Sequence, residues 1–246
     1  MIRDNTVKYL SFSLWGDQPH YTVGAIRNAE LAREIYVDWH VLVYHDNTVP
    51  DETLTQLQQL NVQLIDMTGS PIYSLFWRFL AADIEDCSHA IFRDTDSRIS
   101  LREQKAVDEW IKSGNTLHVM RDHPHHQTPF GAQGLGILGG MWGIRGGSYA
   151  MESAIRGFIT EQRDQYGVDQ NFLQEVYRTF GRSQTIHDDF FERKPFPVPR
   201  TGYHFIGERI DEHEQPIGED REALKYYLSP RKTLWFKRLR KKILGR

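Results

Sequence analysis

The segment from Ala90 to Arg98 reads AIFRDTDSR, a short apolar run that ends in two closely spaced carboxylates. If the run is a buried strand, Asp94 and Asp96 leave it together at its carboxyl end, where α/β sheets bind their ligands. Hard divalent cations such as Mg²⁺ and Mn²⁺ prefer oxygen ligands and are commonly held by one or two carboxylates together with substrate phosphates. The pattern predicts a metal site for a diphosphate, although a solvated turn after a strand can have the same residues.

The composition is that of an ordinary globular protein. The chain has 246 residues, of which 39% are hydrophobic and 26% charged, enough for one sizeable α/β domain or two small ones. Its single cysteine, Cys87, cannot form an intrachain disulfide, which favours a reducing compartment. No apolar run approaches the length of a signal sequence or a membrane span. We therefore expect a cytoplasmic protein.

Charge is distributed unevenly along the chain. The formal net charge is −3, but residues 229–246 contain eight Lys or Arg and no acid, which leaves −11 for residues 1–228. An acidic body argues against nucleic acid as a partner. In the tail, Trp235, Leu239 and Ile243 recur at helical spacing among basic residues, so a basic amphipathic helix is predicted. Such a helix lies either on its own domain or on an anionic membrane, as a peripheral protein of the inner membrane face would require.

The first half of the chain alternates between strand and helix patterns. Strands are predicted at 7–15, 39–45, 62–67, the run before Asp94, and 116–120; helices are predicted at 25–36, 50–60, 73–83 and 103–112. Four such alternations indicate an α/β protein with a Rossmann-like mixed, mostly parallel sheet and helices on both faces.

The second half has a different pattern. Residues 131–147 are rich in glycine, and Gly134, Gly136 and Gly139 formally match a dinucleotide-binding fingerprint. A true fingerprint follows the first strand of a βαβ unit, so a mobile loop near a substrate is the better interpretation here. Further along, helices are predicted at 148–161 and 169–180, a short strand at 184–187, and an extended proline-rich segment at 194–200.

The order of these elements and motifs resembles that of the GT-A glycosyltransferases. Within that class, the chain is similar to the glycogenin and bacterial lipopolysaccharide galactosyltransferase family. The similarity rests on Arg78 in the helix before the fourth strand, the Asp94-Thr95-Asp96 motif, Asp122 beyond the fifth strand, Asp169-Gln170-Asn171-Phe172-Leu173, and His187 followed by Lys194-Pro195-Phe196. Asn171 replaces an acid of the family's Asp-Gln-Asp motif, and the spacing from His to Lys is one residue longer, which indicates a divergent branch.

The resemblance implies a metal-dependent hexosyl transfer from a nucleotide-diphosphate sugar, with a UDP-sugar as the expected donor. The implied acceptor is a glycan or a lipid-linked saccharide, in bacterial surface polysaccharide synthesis, and the implied outcome is retention of the anomeric configuration. A single GT-A catalytic domain would cover residues 1–228, with a nucleotide-binding half at 1–120 and an acceptor-side half at 121–228. The basic tail would follow at 229–246.

The resemblance also implies roles for individual residues. The metal, Mn²⁺ or Mg²⁺, would be held by Asp94, Asp96 and His187. The nucleotide sugar would contact Arg78, Phe12, Asp46 and, at the leaving phosphate, Lys194. The transferred sugar and its anomeric carbon would be flanked by Asp122, Asp169 and Gln170.

Several of these residues also have a structural interpretation. Arg78 can pair with a nearby acid, and Lys194 can be a solvated surface lysine. His187 can be a satisfied buried histidine. Asp169 is placed to cap the helix that it opens, which does not exclude a catalytic role.

Three other functions stay open on the sequence alone. The acid and three histidines in Asp122 to His126 supply enough ligands for zinc, as in a metallohydrolase, although adjacent histidines do not readily converge on one ion. A sugar nucleotidyltransferase also needs a nucleotide-binding sheet and metal carboxylates, but the segment Ser13 to Gln18 lacks the usual Gly-x-Gly-x-Arg loop. A non-catalytic glycan-binding scaffold of the same fold is the third alternative.

Overall fold

The computed structural model describes residues 6–126, 136–161 and 168–229. The strands in these ranges are β1 (Val7–Leu14), β2 (His40–His45), β3 (Gln63–Asp66), β4 (Cys87–Arg93), β5 (Leu117–Arg121), β6 (Trp142–Arg145) and β7 (Gln184–Asp188). The helices are α1 (Pro19–Ile35), α2 (Asp51–Gln59), α3 (Ser74–Trp77), α4 (Leu101–Ser113), α5 (Met151–Glu161), α6 (Val168–Thr179) and α7 (Asp220–Leu228). A 3₁₀ helix over Arg78–Asp83 continues α3.

The strands form one sheet in the order β3-β2-β1-β4-β6-β5-β7. β6 runs antiparallel to both of its neighbours, and the other strands of the sheet are parallel to one another. Strands from both predicted halves of the chain therefore belong to the same sheet. The predicted α/β class with a mixed, mostly parallel sheet is confirmed.

Two apolar cores cover the two faces of the sheet. Alternate residues of β4 enter different cores, as the pleat requires: Phe92 packs with Phe76 and Phe172 on one face, and Ile91 packs with Trp110 on the other. The first core contains residues of α3, α5 and α6, and the second contains residues of α1, α2 and α4. Helices on both faces were predicted from the alternation of strands and helices.

The sequence predicted a loop over the whole glycine-rich segment, but part of the segment forms a strand. Its last part forms β6, which is inserted between β4 and β5. Gly143 is required there because a Cβ atom would lie 2.8 Å from Ile91 Cγ2 and 2.9 Å from the Ala90 carbonyl oxygen. The earlier part, including Gly134 of the fingerprint match, lies outside the described residues.

The predicted basic tail helix also lies outside the described residues, beyond Ser229. Within the described ranges, no helix combines the length and the apolar character needed to cross a membrane.

Candidate active site

A cavity of about 520 Å³ opens at the carboxyl edge of the sheet, where β1 and β4 end side by side. Its size is typical of small-molecule sites. Three parts of the chain supply most of its lining: the end of β1 with α1, the turn after β4, and residues of the 205–220 segment. Arg78, Asp94, Asp96, Asp169 and Gln170 line it, so the structure brings these five predicted site residues together.

The turn Asp94-Thr95-Asp96 forms the floor of the candidate site. The Asp94 side chain is 45% exposed, whereas Asp96 is 9% exposed. Burial and the neighbouring Asp94 carboxylate raise the pKa of Asp96 to about 6. A divalent cation between the two carboxylates would offset this repulsion and favour the ionised forms. The donor set and its electrostatics therefore suit a hard divalent metal.

Helix α1 holds this turn in place through Asn28. The Asn28 side-chain amide donates to the carbonyls of Thr95 and Ser97 at 3.3 and 2.7 Å, and its Oδ1 accepts from the Ile99 N–H at 3.0 Å. Gly24 lets the helix approach closely, since a Cβ atom there would lie 3.0 Å from the Thr95 carbonyl carbon and closer still to its oxygen. These contacts fix the backbone that carries both aspartates.

Arg78 connects two carboxylates of the cavity. It lies at the start of the 3₁₀ helix after α3, where its backbone N–H donates to Ser13 Oγ at 2.9 Å. Its Nη1 donates to Asp94 Oδ1 at 2.6 Å and its Nη2 to Asp169 Oδ2 at 3.3 Å. Among the described residues, nothing accepts from its buried Nε. The guanidinium thus retains a donor after pairing with both acids.

Two glycines before β6 make room for these side chains. A Cβ atom on Gly139 would lie 2.6 Å from Arg78 Nη2 and closer still to Asp169 Oδ2. A Cβ atom on Gly140 would lie 2.5 Å from Asp94 Cγ. The glycine-rich segment therefore packs directly against the charged side chains of the site, and the glycines permit that close approach.

Helix α6 contributes Asp169 and Gln170 from its first turn. Burial raises the pKa of Asp169 to about 6, although Arg78 acts in the opposite direction. Gln170 Oε1 is buried and has no hydrogen-bond donor among the described residues. A buried carbonyl oxygen without a donor is costly, so a ligand hydroxyl is a suitable partner for it.

The structure does not bring His187 to the cavity. On β7, His187 is bonded to His118 through Nδ1 at 2.9 Å and to Glu109 through Nε2 at 3.2 Å, so both ring nitrogens are engaged. Lys194 is likewise outside the cavity lining, and its Nζ pairs with Glu192 at 2.8 Å. His187 and Lys194 therefore lie apart from the five predicted site residues that line the cavity.

Asp122 lies behind the cavity rather than in it. Its side chain is fully buried and accepts from Arg102 at 2.9 and 3.1 Å, from Arg200 at 2.7 Å and from the Ile206 N–H at 3.0 Å. Asp189 also accepts from Arg102 at 2.6 Å. This network fastens the segment after residue 196 to the end of β5, so the contacts of Asp122 are structural and it does not line the cavity.

Phe12 and Asp46, which were expected to contact the nucleotide from the ends of β1 and β2, do not line the cavity either. Phe12 is 1% exposed within the second core, and Asp46 caps its own turn by accepting from the Thr48 N–H at 3.0 Å. Trp15 and Tyr21 line the cavity instead and are 38% and 36% exposed. No motif in the sequence marks them: Trp15 directly follows β1, and Tyr21 lies in the first turn of α1.

The histidine turn after β5 lines the other part of the cavity. His123 and His125 of this turn form a group with Asp220 of α7, and the ligand atoms of the three residues lie within 4.8 Å of one another. Yet His123 Nδ1 accepts from the His125 N–H at 3.0 Å, and its Nε2 donates to the Asp220 carbonyl at 2.8 Å. Both nitrogens serve the backbone, so His123 cannot ligate zinc without losing one of these bonds.

Arg209 is the second arginine of the cavity. Its side chain is 51% exposed and lies 3.6 Å from Asp220 Oδ2. The next residue anchors it beside the aspartate turn, because the Ile210 N–H donates to the Asp96 carbonyl at 2.6 Å. Arg209 therefore presents a weakly paired positive charge to the cavity.

The solved structures that resemble this chain include those of three proteins. Glucosyl-3-phosphoglycerate synthase from Mycobacterium tuberculosis, in complex with Mn²⁺, UDP and glucosyl-3-phosphoglycerate, gives a TM-score of 0.50 at 14% identity over 79% of this chain and 72% of that one. S. aureus TarS 1–349 gives 0.49 at 15% identity, over 75% and 58%. The glycosyltransferase GlyE of Streptococcus pneumoniae TIGR4 gives 0.48 at 19% identity, over 75% and 46%.

The sheet order and the likeness to the synthase identify the fold as GT-A, as predicted from the motif order. The chain spans 58% and 46% of the lengths of TarS 1–349 and GlyE. No family model matches the sequence, and neither does any curated protein. The resemblance to the glycogenin branch stays a prediction.

Proposed function

We infer that this protein is a metal-dependent glycosyltransferase that uses a nucleotide-diphosphate sugar as donor. The observation that carries the proposal is the Asp94-Thr95-Asp96 turn, which opens at the carboxyl edge of a GT-A sheet onto a cavity containing Arg78 and Arg209. Carboxylates for a metal and cations for phosphate, gathered at the ligand-binding edge of the sheet, suit a diphosphate. The expected donor is a UDP-sugar.

Asp94 and Asp96 would hold Mn²⁺ or Mg²⁺ against the diphosphate. When bound, the metal neutralises the charge that develops on the leaving nucleoside diphosphate. His187 is not needed for this proposal, because phosphate oxygens and water complete the coordination shell of such ions. Asn28 and Gly24 set the geometry of the two carboxylates from behind.

Arg209 would take the phosphate-binding role that the resemblance implied for Lys194. It lines the cavity next to Asp96 and is only loosely paired, whereas Lys194 pairs with Glu192 elsewhere. A guanidinium binds phosphate with two parallel hydrogen bonds. Such an interaction grows stronger as the leaving group gains charge, so it contributes to catalysis as well as to binding.

The remaining cavity residues divide between the nucleoside and the sugar. Trp15 and Tyr21 present exposed aromatic surface at the end of β1, which suits stacking on a nucleotide base. Within the described part of the chain, Gln170 Oε1 has no donor and Arg78 Nε has no acceptor, so both can bond to sugar hydroxyls. Asp169, held by Arg78, would flank the sugar in this arrangement.

Calorimetry with UDP tests the donor site. We expect UDP to bind in the presence of Mn²⁺, and EDTA or Asp96→Asn to weaken that binding at least about tenfold, a loss of about 1.4 kcal/mol. The matched control is Asp38→Asn, at an exposed aspartate in the turn after α1, which should leave affinity unchanged. Equal UDP affinity in wild type and Asp96→Asn would contradict metal binding by Asp94 and Asp96.

Hydrolysis of UDP-sugars separates an enzyme from a binding scaffold. In Mn²⁺, a glycosyltransferase without its acceptor should release UDP slowly from its own donor sugar. Binding without any release of UDP, with acceptor candidates present, would favour the non-catalytic scaffold. Release of pyrophosphate from UTP and a sugar 1-phosphate would favour the nucleotidyltransferase.

We further propose that the acceptor is a glycan or lipid-linked saccharide at the cytoplasmic face of a membrane, as in surface polysaccharide synthesis. The basic composition of residues 230–246 supports this proposal, because such segments bind anionic lipid. Liposome flotation with and without these residues tests it. Equal binding to acidic vesicles after truncation would remove the argument for a membrane-bound acceptor.

A further inference from the structure

His125 differs from the histidines on either side of it. His123 has both ring nitrogens bound to backbone atoms, and His126 accepts from the Asp122 N–H through Nδ1 at 3.0 Å. The His125 side chain is 63% exposed, lines the cavity, and places Nδ1 3.5 Å from Asp220 Oδ1. No group in the described ranges bonds to its Nε2. His125 therefore has a ring nitrogen that a ligand can reach.

Asp220 is held in a position that orients His125. It begins α7, its carbonyl accepts from His123 Nε2 at 2.8 Å, and its Oδ2 lies 3.6 Å from Arg209. A carboxylate opposite Nδ1 favours the tautomer with the proton on that atom. The lone pair is then on Nε2, which is the form needed to accept a proton.

Arg209 places this pair near the proposed metal turn. Its guanidinium lies beside Asp220, and its charge also acts on the buried Asp96 carboxylate. The adjacent Ile210 is bonded to the Asp96 backbone at 2.6 Å. The His125–Asp220 pair and the aspartate turn therefore face the same cavity with one arginine side chain between them.

We propose that His125 is the general base of the transfer and that Asp220 is its positioning residue. This rests on the proposed glycosyltransferase function. The acceptor hydroxyl gives its proton to His125 Nε2 while its oxygen forms a bond to the anomeric carbon. The bond from that carbon to the diphosphate oxygen breaks, and its electron pair leaves with the nucleoside diphosphate. The imidazolium then returns the proton to water.

A single displacement of this kind inverts the anomeric configuration, the opposite of the retention implied by the resemblance. Asp169, the carboxylate proposed to flank the sugar, is poorly suited to act as the base. Its side chain is 6% exposed and is paired with Arg78 at 3.3 Å. His125 is solvent-accessible within the cavity and is not committed to an arginine.

The first test is the configuration of the released sugar, with water as the acceptor. UDP-glucose, UDP-galactose and UDP-N-acetylglucosamine are α-linked; the one that turns over fastest in Mn²⁺ is followed by ¹H NMR in the first minutes, before mutarotation. The β anomer should appear first. Initial release of the α anomer would overturn the proposal while leaving the glycosyltransferase function intact. Failure of wild-type protein to bind UDP in Mn²⁺ would instead overturn the function, and the base with it.

The second test compares His125→Gln with the control His213→Gln. His213 is an exposed histidine outside the cavity, 3.9 Å from Glu212. His125→Gln should lower turnover about 10²- to 10⁴-fold, with UDP affinity in Mn²⁺ within twofold of wild type. His213→Gln should change neither. Wild-type turnover in His125→Gln would overturn the proposal.

The pH profile of kcat/KM tests the role of Asp220. Among the described residues, Asp220, His123 and His126 face His125. Asp220→Asn removes the charge that favours the imidazolium, so the acid limb of the profile should move to lower pH, and His125→Gln should lose that limb. Added imidazole should restore part of the turnover of His125→Gly. An unchanged acid limb in Asp220→Asn would exclude its positioning role.

Discussion

A single methyl group at Gly140 would act directly on the proposed metal site. A Cβ atom there would lie 2.5 Å from Asp94 Cγ, closer still to Oδ2, and 3.0 Å from the Asp94 backbone nitrogen. Carbon atoms in normal contact are about 3.5–4.0 Å apart. The Asp94 carboxylate therefore has to move by about 1 Å or more in Gly140→Ala.

Folding and metal binding should respond differently to this change. The Asp94 side chain is 45% exposed, so it can rotate away, and we expect an overpacking cost of about 1–2 kcal/mol. The rotation separates Asp94 from Asp96 and from Arg78 Nη1, which is 2.6 Å away in the wild type. Losing one of two carboxylate ligands should weaken UDP binding in Mn²⁺ at least about tenfold, or about 1.4 kcal/mol.

Calorimetry of UDP at saturating Mn²⁺, together with urea unfolding, measures both effects. Gly157→Ala is the matched control, because Gly157 is an exposed residue of α5. Apart from its chain neighbours and the backbone of its own helix, no atom of the described residues lies within 4 Å of a Cβ built there. That variant should bind UDP normally and gain about 0.5–1 kcal/mol in stability. If Gly140→Ala binds UDP as tightly as Gly157→Ala, Asp94 does not hold the metal from the observed position.

Three further predictions concern stability. Asn28→Ala should lower the free energy of unfolding by about 2–4 kcal/mol in urea and also weaken UDP binding in Mn²⁺, because backbone groups of the aspartate turn lose their partner. Asp122→Asn should cost about 3–5 kcal/mol while the folded protein keeps its UDP affinity; a selective loss of affinity would argue against a structural role. Burial lowers the pKa of His118 and His126 well below the usual value. The unfolded chain therefore takes up their protons first as pH falls below about 6.5, and each group should remove up to about 1.4 kcal/mol of stability per pH unit. His118→Asn should reduce that slope, and an identical slope in the variant would contradict the assignment.

The parallel part of the sheet was predictable because its information is local. Most strands of the first half are apolar runs that alternate with helical patterns, and right-handed crossovers then favour parallel pairing. β6 was missed because it is four residues long and lies among glycines, with no alternation to mark it. Its position depends on Gly143, which matters only because Ile91 and Trp110 lie against it.

The residues of the candidate site were predictable only where a sequence motif lies on a strand or helix that the sequence also predicts. Asp94, Asp96 and Arg78 lie on elements that the sequence defines well, and the structure brings them together. The 205–220 segment has no periodic pattern, and long-range contacts decide its path: Asp122 bonds to the Ile206 N–H, and Ile210 bonds to the Asp96 carbonyl. Those contacts place Arg209 and Asp220 at the cavity, whereas Lys194 and His187 were expected there from the sequence.

At the end of β5, two consecutive residues have different roles, one structural and one at the cavity. Asp122 and His123 are adjacent, yet the first points into the arginine network and the second lines the cavity. The network holds the Ile206 end of the segment that carries Arg209 and Asp220, because the Ile206 N–H donates to Asp122. Asp122, which was expected beside the sugar, thus holds the backbone at Ile206 instead. The histidine turn that follows it lines the cavity and supplies the groups that a substrate can reach.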